Sequence, residues 1–193
     1  MKTSFIIGWV DIFRNPFYFI RLRLFQAFKR YLPELKGAVL DFGCGSKPYE
    51  SLFVNATSYI GLDIEVSGHS HVNESIDVYY DGKIIPFDDS HFDNVFCSEV
   101  MEHVFNPDES LKEIHRVLKP GGKLLLTCPF VWPEHEIPFD YARYSSFGIT
   151  HLLEKNNFEI VQLVKTGHFV EVILQQIIFY IFVLLPKKPG ILY

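Results

Sequence analysis

Three aspartates at the ends of short apolar runs, and two histidines in later loops, are the residues whose types and spacing could do chemistry. Asp41 stands in Val39-Leu40-Asp41-Phe42-Gly43-Cys44-Gly45-Ser46-Lys47-Pro48, which reads as a strand, a glycine turn and the start of a helix. Glycines let a ligand approach the backbone, and a helix start offers free N–H groups. A nicotinamide-dinucleotide fingerprint wants a third glycine where Pro48 stands, and the Gly-Lys-Ser/Thr of a P-loop is absent. An acid just before the first glycine suits a ligand carrying an ammonium or sulfonium better than a pyrophosphate. The competing reading is an ordinary turn with a glycine corner.

Asp63, 20 residues past Gly43, closes a second apolar run, where a carboxylate accepts the two hydroxyls of a ribose. Ile64 beside it would pack on an adenine face. Asp81 ends a third run, placed to accept from an adenine amino group, and Ile85-Pro86-Phe87 follows as an apolar turn close to the base. The bland alternative for these acids is loop capping.

The elements that must hold these residues follow from the hydrophobic pattern. Strands are expected at 38–42, 58–63, 76–81, 92–97, 123–128 and 158–164, and helices at 17–31, 107–118 and 146–155. Asn15-Pro16 marks the start of the first helix, and Pro120-Gly121-Gly122 is expected to close the second. Strands alternating with helices imply an α/β fold, a Rossmann-like doubly wound and mainly parallel sheet with helices on both faces. Such sheets bind ligands at the carboxyl ends of their strands.

With Cys97-Ser98-Glu99-Val100-Met101-Glu102-His103-Val104 and Leu111-Lys112-Glu113-Ile114-His115-Arg116-Val117-Leu118-Lys119-Pro120-Gly121-Gly122, these motifs resemble the class I S-adenosylmethionine-dependent methyltransferases of the UbiE, or type 11, group. The resemblance covers residues 36–166. It implies S-adenosylmethionine as cofactor and S-adenosylhomocysteine as product. It also implies that Asp41, Gly43, Cys44 and Gly45 cradle the methionine part and that Asp63 holds the ribose. Asp81 and Gly82 then meet the adenine, and Ser98 and Glu99 line the wall near the sulfonium. The loop from Cys128 to Tyr144 is similar to segments of bacterial cell-surface glycan enzymes, which implies a glycan or lipid-linked acceptor beside the small-molecule one.

A general base helps a hydroxyl or amine acceptor. His135, in the loop after the fifth strand, is the first candidate, and His103, five residues beyond Ser98, the second. A surface loop histidine and a pocket-shaping histidine are the competing readings. Tyr141, Arg143 and Tyr144 are candidates for binding an acceptor's hydroxyls or phosphate, against plain loop packing. No metal site is expected: His69-Ser70-His71 and Glu134-His135-Glu136 supply ligand types, but neither forms a complete set. A serine hydrolase is disfavoured, because no G-x-S-x-G occurs.

A formal net charge of -5 gives no support to nucleic-acid binding. Cys44, Cys97 and Cys128 form no CxxC pattern and read as reduced, small buried residues of a cytoplasmic protein. Asp11 and Arg14 interrupt the apolar start, so no secretory leader is expected. Residues 1–35 read as a helical extension, 36–166 as the cofactor-binding domain, and 167–193 as an apolar helix and tail. The tract 169–185 is shorter than the roughly 20 residues of a spanning helix and carries Glu171. It reads as a buried helix, or as one lying on a membrane surface with Lys187 and Lys188 at its edge. A seventh, antiparallel strand normally ends such folds; either it is missing here or the chain is a piece of a longer one. A binding module without catalysis, a peripheral membrane-associated binding protein and a dehydrogenase remain the alternatives.

Overall fold

The computed structural model describes residues 15–66 and 75–184. The N-terminal stretch carrying the leader question, His69-Ser70-His71 and the lysines near the C-terminus lie outside them.

The chain forms two units. In the larger, Leu32–Leu163, five strands make one sheet: β1 (Gly37–Phe42), β2 (Ala56–Ile64), β3 (Val78–Tyr80), β4 (Phe92–Ser98) and β5 (Leu118–Thr127). Their order is β3-β2-β1-β4-β5, and every pairing is parallel. The chain builds outward from β1 to β3, then crosses back to place β4 on the other side of β1. The ends of β1 and β4 therefore flank a topological switch point, where open α/β sheets place ligands. Two helices of this unit flank the sheet: α2 (Pro107–Val117) and α3 (Ser146–Lys155). Pro107 opens α2, and Leu111, Ile114 and Val117, at i, i+3, i+6 spacing, are fully buried. Ser145 caps α3 by accepting from Gly148 N at 3.1 Å. The core joins these faces to Leu40, Phe42, Leu62, Phe92, Val95, Cys97 and Met101. Cys44 and Cys97 are buried and all three cysteines are free thiols.

Three sequence expectations change. The segment after the glycine turn makes only a 3-10 turn at Glu50–Leu52, because Tyr49 and Phe53 stack edge-on against Phe96 and cover the sheet with rings instead of a helix. Pro120-Gly121-Gly122 does not close α2: the helix stops at Val117, and β5 begins directly at Leu118. The Pro-Gly-Gly run sits in an irregular part of the β4–β5 register, and the missing N–H of Pro120 is tolerated because β5 is an edge strand. The sixth strand expected at 158–164 does not form. Strand formation needs a paired edge as well as an apolar pattern; residues 161–164 are exposed, and no strand follows Thr127 among the described residues.

The other unit contains α1 (Tyr18–Tyr31) and α4 (Phe169–Leu184). Gln175, 2% exposed, accepts from Phe19 N at 3.0 Å and donates to the Pro16 carbonyl. Arg23 pairs with Glu171 through its Nε at 3.1 Å, and the Phe17 and Phe179 rings meet at 5.9 Å. These contacts hold Glu171 and Gln175 in a helix pair, but most apolar side chains of α4 are exposed, so the tract is not the buried helix expected from sequence. No described helix is long and apolar enough to cross a membrane.

One side chain of α2 braces the turn between β3 and β4. Arg116 donates to the carbonyls of Ile85 (2.8 Å) and Phe87 (2.9 Å), and Glu113 both holds Arg116 and accepts from Ile85 N at 2.9 Å. Hydrogen bonds to a charged group contribute about 1.5–3 kcal/mol. Arg116→Ala is expected to lower unfolding free energy by about 2 kcal/mol in urea titrations. The exposed Lys155–Asp108 pair sets the contrast: Lys155→Ala should leave the midpoint nearly unchanged.

Candidate functional site

The carboxyl edge of the sheet gathers the predicted cofactor residues. Asp41, 3% exposed near the end of β1, accepts a hydrogen bond from the Tyr59 hydroxyl of β2. Gly43 follows at φ +74°, and Gly43 N and Cys44 N donate to Leu62 O at 2.8 and 3.2 Å, turning the chain over the end of β2. A Cβ on Gly43 would sit 2.4 Å from Val100, so this turn needs glycine for both conformation and space. Asp63, 8% exposed, accepts from Gly45 N and Ile64 N, both at 2.8 Å. Its carboxylate thus ties the glycine turn to the end of β2, and each oxygen retains a second lone pair.

Burial pushes the Asp41 carboxyl up to about 7; the Tyr59 hydrogen bond works the other way and the neighbouring Asp63 adds to the rise. Two acids held this close in a dry site repel, which a cationic ligand relieves. The acceptor set fits S-adenosylmethionine, whose ammonium and sulfonium are positive and whose ribose presents a diol.

The third acid is arranged differently. Asp81 is exposed and accepts from Lys83 N (2.9 Å) and Ile84 N (3.1 Å), which holds its carboxyl below the usual carboxylate range. Gly82, at φ +78°, adjoins Ile64: a Cβ there would lie 3.9 Å from Ile64 Cγ2. Asp81, Gly82 and Ile64 thus cluster at the ends of β2 and β3, and Ile85, 1% exposed, belongs to the core rather than to an open apolar wall.

Beyond β4 and β5 the remaining candidates meet. Ser98 Oγ and Thr127 Oγ1 lie 3.1 Å apart across the two strand ends. Glu99 takes a left-handed φ of 55° and anchors to Thr127 O through its amide at 3.1 Å. Burial raises its carboxyl, against a hydrogen bond from Thr127. A 3-10 turn, Met101–His103, then brings His103 against the aromatic loop, where its ring packs edge-on to His135 at 4.7 Å. The two histidines nominated from sequence therefore share one place. His103 Nδ1 lies 2.8 Å from the Phe139 carbonyl, so this nitrogen carries the proton. His135 Nδ1 lies 3.2 Å from Asp140 Oδ2 and 3.3 Å from Pro133 O, which accept, and 3.4 Å from Arg143 Nη2, which donates, so either tautomer finds a partner there. His103 Nε2 keeps a lone pair. Burial, helped by His103, lowers the His135 pKa and keeps the ring neutral.

Of the acceptor candidates, Arg143 braces the loop. It forms a bidentate pair with Asp140 and donates to the carbonyls of Trp132 (3.2 Å) and Pro133 (3.1 Å). The Asp140 carboxyl is held well below the usual range by that guanidinium. Tyr141 is exposed, packs on Phe105 at 5.2 Å, and its amide donates to Glu102 O at 2.8 Å. Tyr144 packs against the core.

Sequence reasoning passed over Tyr59, Asp140 and Glu102. Tyr59 stands two residues along the register from Asp41, on the same face, since β1 and β2 pair Val39 with Tyr59 and Asp41 with Gly61. Asp140 follows His135 by five residues and precedes Arg143 by three, a charge pattern that a loop of unknown shape does not decode. Glu102 is 1% exposed, and burial with Glu99 nearby pushes its carboxyl up to about 8.

The raised Asp41 gives a pH prediction. In the folded chain it binds a proton that the unfolded chain releases near pH 4, so its favourable contribution is complete below about 4 and lost as pH rises through about 7. Without ligand, wild type should lose stability relative to Asp41→Asn between about pH 4 and 7, measured as urea midpoints. Equal slopes for the two chains would remove the buried, protonated Asp41.

A family described as methyltransferase domain matches residues 17–163. A protein named as a probable S-adenosylmethionine-dependent methyltransferase, from Mycolicibacterium smegmatis, is 29% identical over 136 residues, 68% of this chain and 51% of that one. The ubiquinone/menaquinone biosynthesis C-methyltransferase UbiE of Shewanella sp. (strain W3-18-1) is 41% identical over 66 residues, 34% of this chain and 26% of its own. The chain thus spans about half, or less, of the length of these relatives. The solved S-adenosylmethionine-dependent methyltransferase of Mesorhizobium loti shares the fold with a TM-score of 0.60 at 15% identity, covering 83% of this chain and 92% of that one. The parallel sheet, its switch point and the match across most of the chain agree: this chain belongs to the methyltransferase-domain family, within the class I S-adenosylmethionine-dependent methyltransferases.

Proposed function

We propose that the chain binds S-adenosylmethionine along the ends of β1–β4 and moves its methyl group to an acceptor held between that edge and the loop 128–144. The observation that carries this reading is the buried Asp41–Asp63 pair on a glycine turn, one strand from the histidine pair. When bound, the cofactor supplies a methyl group already activated by its sulfonium. The chain then has to hold two molecules in line and keep water out, which is where most of the acceleration arises. Asp63 accepts from the ribose through its remaining lone pairs, Asp41 balances the positive charge, and Asp81, Gly82 and Ile64 surround the adenine. Cys44 and Gly45 frame the methionine part, and Ser98 and Glu99 the wall near the sulfonium. His135, neutral and anchored to Asp140 through its backbone amide, offers a ring-nitrogen lone pair to an acceptor proton, and His103 is the second such group. Tyr141 and Tyr144 line the same loop.

The acceptor we favour is a hydroxyl-bearing small molecule or lipid-linked glycan, supported by the aromatic character of the loop and by the absence of a basic surplus in a chain of net charge -5. A catalytically inactive binding module is the second reading, since no strand follows β5 among the described residues.

Asp63→Ala should weaken S-adenosylmethionine binding more than about tenfold, or about 1.4 kcal/mol; unchanged affinity in a folded variant would put the ribose elsewhere. Tritiated methyl transfer should label a glycan or organic-soluble fraction of a cell extract, and His135→Ala should slow it about a hundredfold. Binding with no labelled product from any fraction favours the inactive module. Separately, α4 presents Ile177 and Ile181 half-exposed, which supports contact with a membrane surface. Co-sedimentation with anionic liposomes should then fall when both are changed to Lys; undiminished sedimentation removes that contact.

A further inference from the structure

The side chain least at home in this fold is Glu102. It is 1% exposed, and neither carboxylate oxygen has a hydrogen-bond partner among the described residues. A buried, unpartnered carboxylate is costly, and native structures pair such groups or give them a cation. The nearest guanidinium, Arg143, is committed to Asp140 and to loop carbonyls. What does face Glu102 is a pair of imidazoles: Glu102, His103 and His135 each place one donor atom within 4.8 Å of the others. His103 Nε2 is 3.9 Å from Glu102 Oε1 and 3.9 Å from Glu136 Oε2, so a second carboxylate stands within reach.

We propose that Glu102, His103 and His135 form a binding site for a divalent transition-metal cation of the zinc class, a site that sequence reading did not expect. Three features support it beyond proximity. First, the imidazoles offer the lone pairs a metal needs. Phe139 O takes the Nδ1 proton of His103, which leaves its Nε2 unprotonated, and a neutral His135 keeps one ring nitrogen unprotonated. Metal-bound histidines regularly donate their other N–H to such an acceptor. Second, the site is held from both sides. Tyr141 N and Ala142 N donate to Glu102 O at 2.8 and 3.2 Å, so the loop carrying His135 is bonded to the turn carrying Glu102 and His103. Third, two imidazoles and one carboxylate make a ligand set that suits zinc and its neighbours rather than magnesium or calcium, and three protein ligands leave a position open. Zinc bonds of about 2.0–2.2 Å put donors a little over 3 Å apart, so a modest contraction of the cluster suffices.

The cation site shares His135 and His103 with the proposed base pair and so rests on the same corner of the sheet edge. A bound ion takes the lone pair that His135 otherwise offers to a proton, and its binding is measurable without cofactor or acceptor. The test is calorimetric titration of the full chain, stripped with a chelator, with Zn2+, together with visible absorption on adding Co2+. One ion per chain is expected, with d–d absorption of a four- or five-coordinate site and a raised thermal midpoint. Glu102→Gln, His103→Ala and His135→Ala should each weaken binding at least about tenfold while keeping the far-UV circular dichroism of the wild type. His151→Ala, on α3, should bind as the wild type does. The proposal is overturned by a folded wild-type chain that takes up no ion, or by one-to-one binding that survives replacement of both His103 and His135. Because S-adenosylhomocysteine binding is read separately in the same samples, loss of one site does not register as loss of the other.

Discussion

Two carboxylates that repel each other, Asp41 and Asp63, are held at the ends of adjacent parallel strands, and much of the sheet's carboxyl edge is arranged to keep them there. Tyr59 donates to the first; the amides of Gly45 and Ile64 donate to the second. The glycine turn exists because Gly43 must pass within reach of Val100, and Gly61 must leave room for Cys44 and Lys47, which a Cβ at 61 would meet at 2.6 and 2.3 Å. Lys47 returns its ammonium to Asp77, whose carboxylate also accepts from Gly61 N at 2.7 Å. The local cation is thus spent on Asp77, and the dry pair is left short of positive charge. A cationic cofactor answers that shortage directly.

The second half of the edge solves a related problem with different groups. Beyond β4 and β5, Glu99 and Glu102 are drawn inward, and a loop rich in aromatic residues closes over them with its own ion pair, Arg143 and Asp140. The histidines sit where the loop meets the turn after β4, edge-on to each other, with His103 held by the Phe139 carbonyl. Both halves flank the point where strand order reverses, so the acid pair at the ends of β1 and β2 and the histidine pair beyond β4 and β5 share one edge of the sheet.

Legibility in the sequence followed the range of the interactions. β1, β4, α2 and α3 were readable because their patterns are local: a buried apolar run ended by glycine, or Leu111, Ile114 and Val117 on one helix face. Asp41, Asp63 and Asp81 were readable because strand ends fix their positions. The helix expected after the glycine turn was not, because Tyr49 and Phe53 cover the sheet through contacts to Phe96, far away in the chain. The strand expected at 158–164 has the right pattern but joins neither edge of the sheet, and residues 161–164 stay exposed. The meeting of Glu102, His103 and His135 depends on how an irregular loop folds back, through Tyr141 and Ala142 onto Glu102, and no periodicity encodes that.

A fold of this kind serves several nucleotide ligands, so the cofactor rests on the acid pair and not on the sheet. Calorimetric titration of the chain with S-adenosylmethionine, S-adenosylhomocysteine and a nicotinamide dinucleotide tests this most directly. Micromolar binding of the first two, with no heat from the dinucleotide, is the predicted result. A folded chain that binds neither sulfur ligand, or that prefers the dinucleotide, would contradict the assignment of Asp41 and Asp63 to a cationic cofactor.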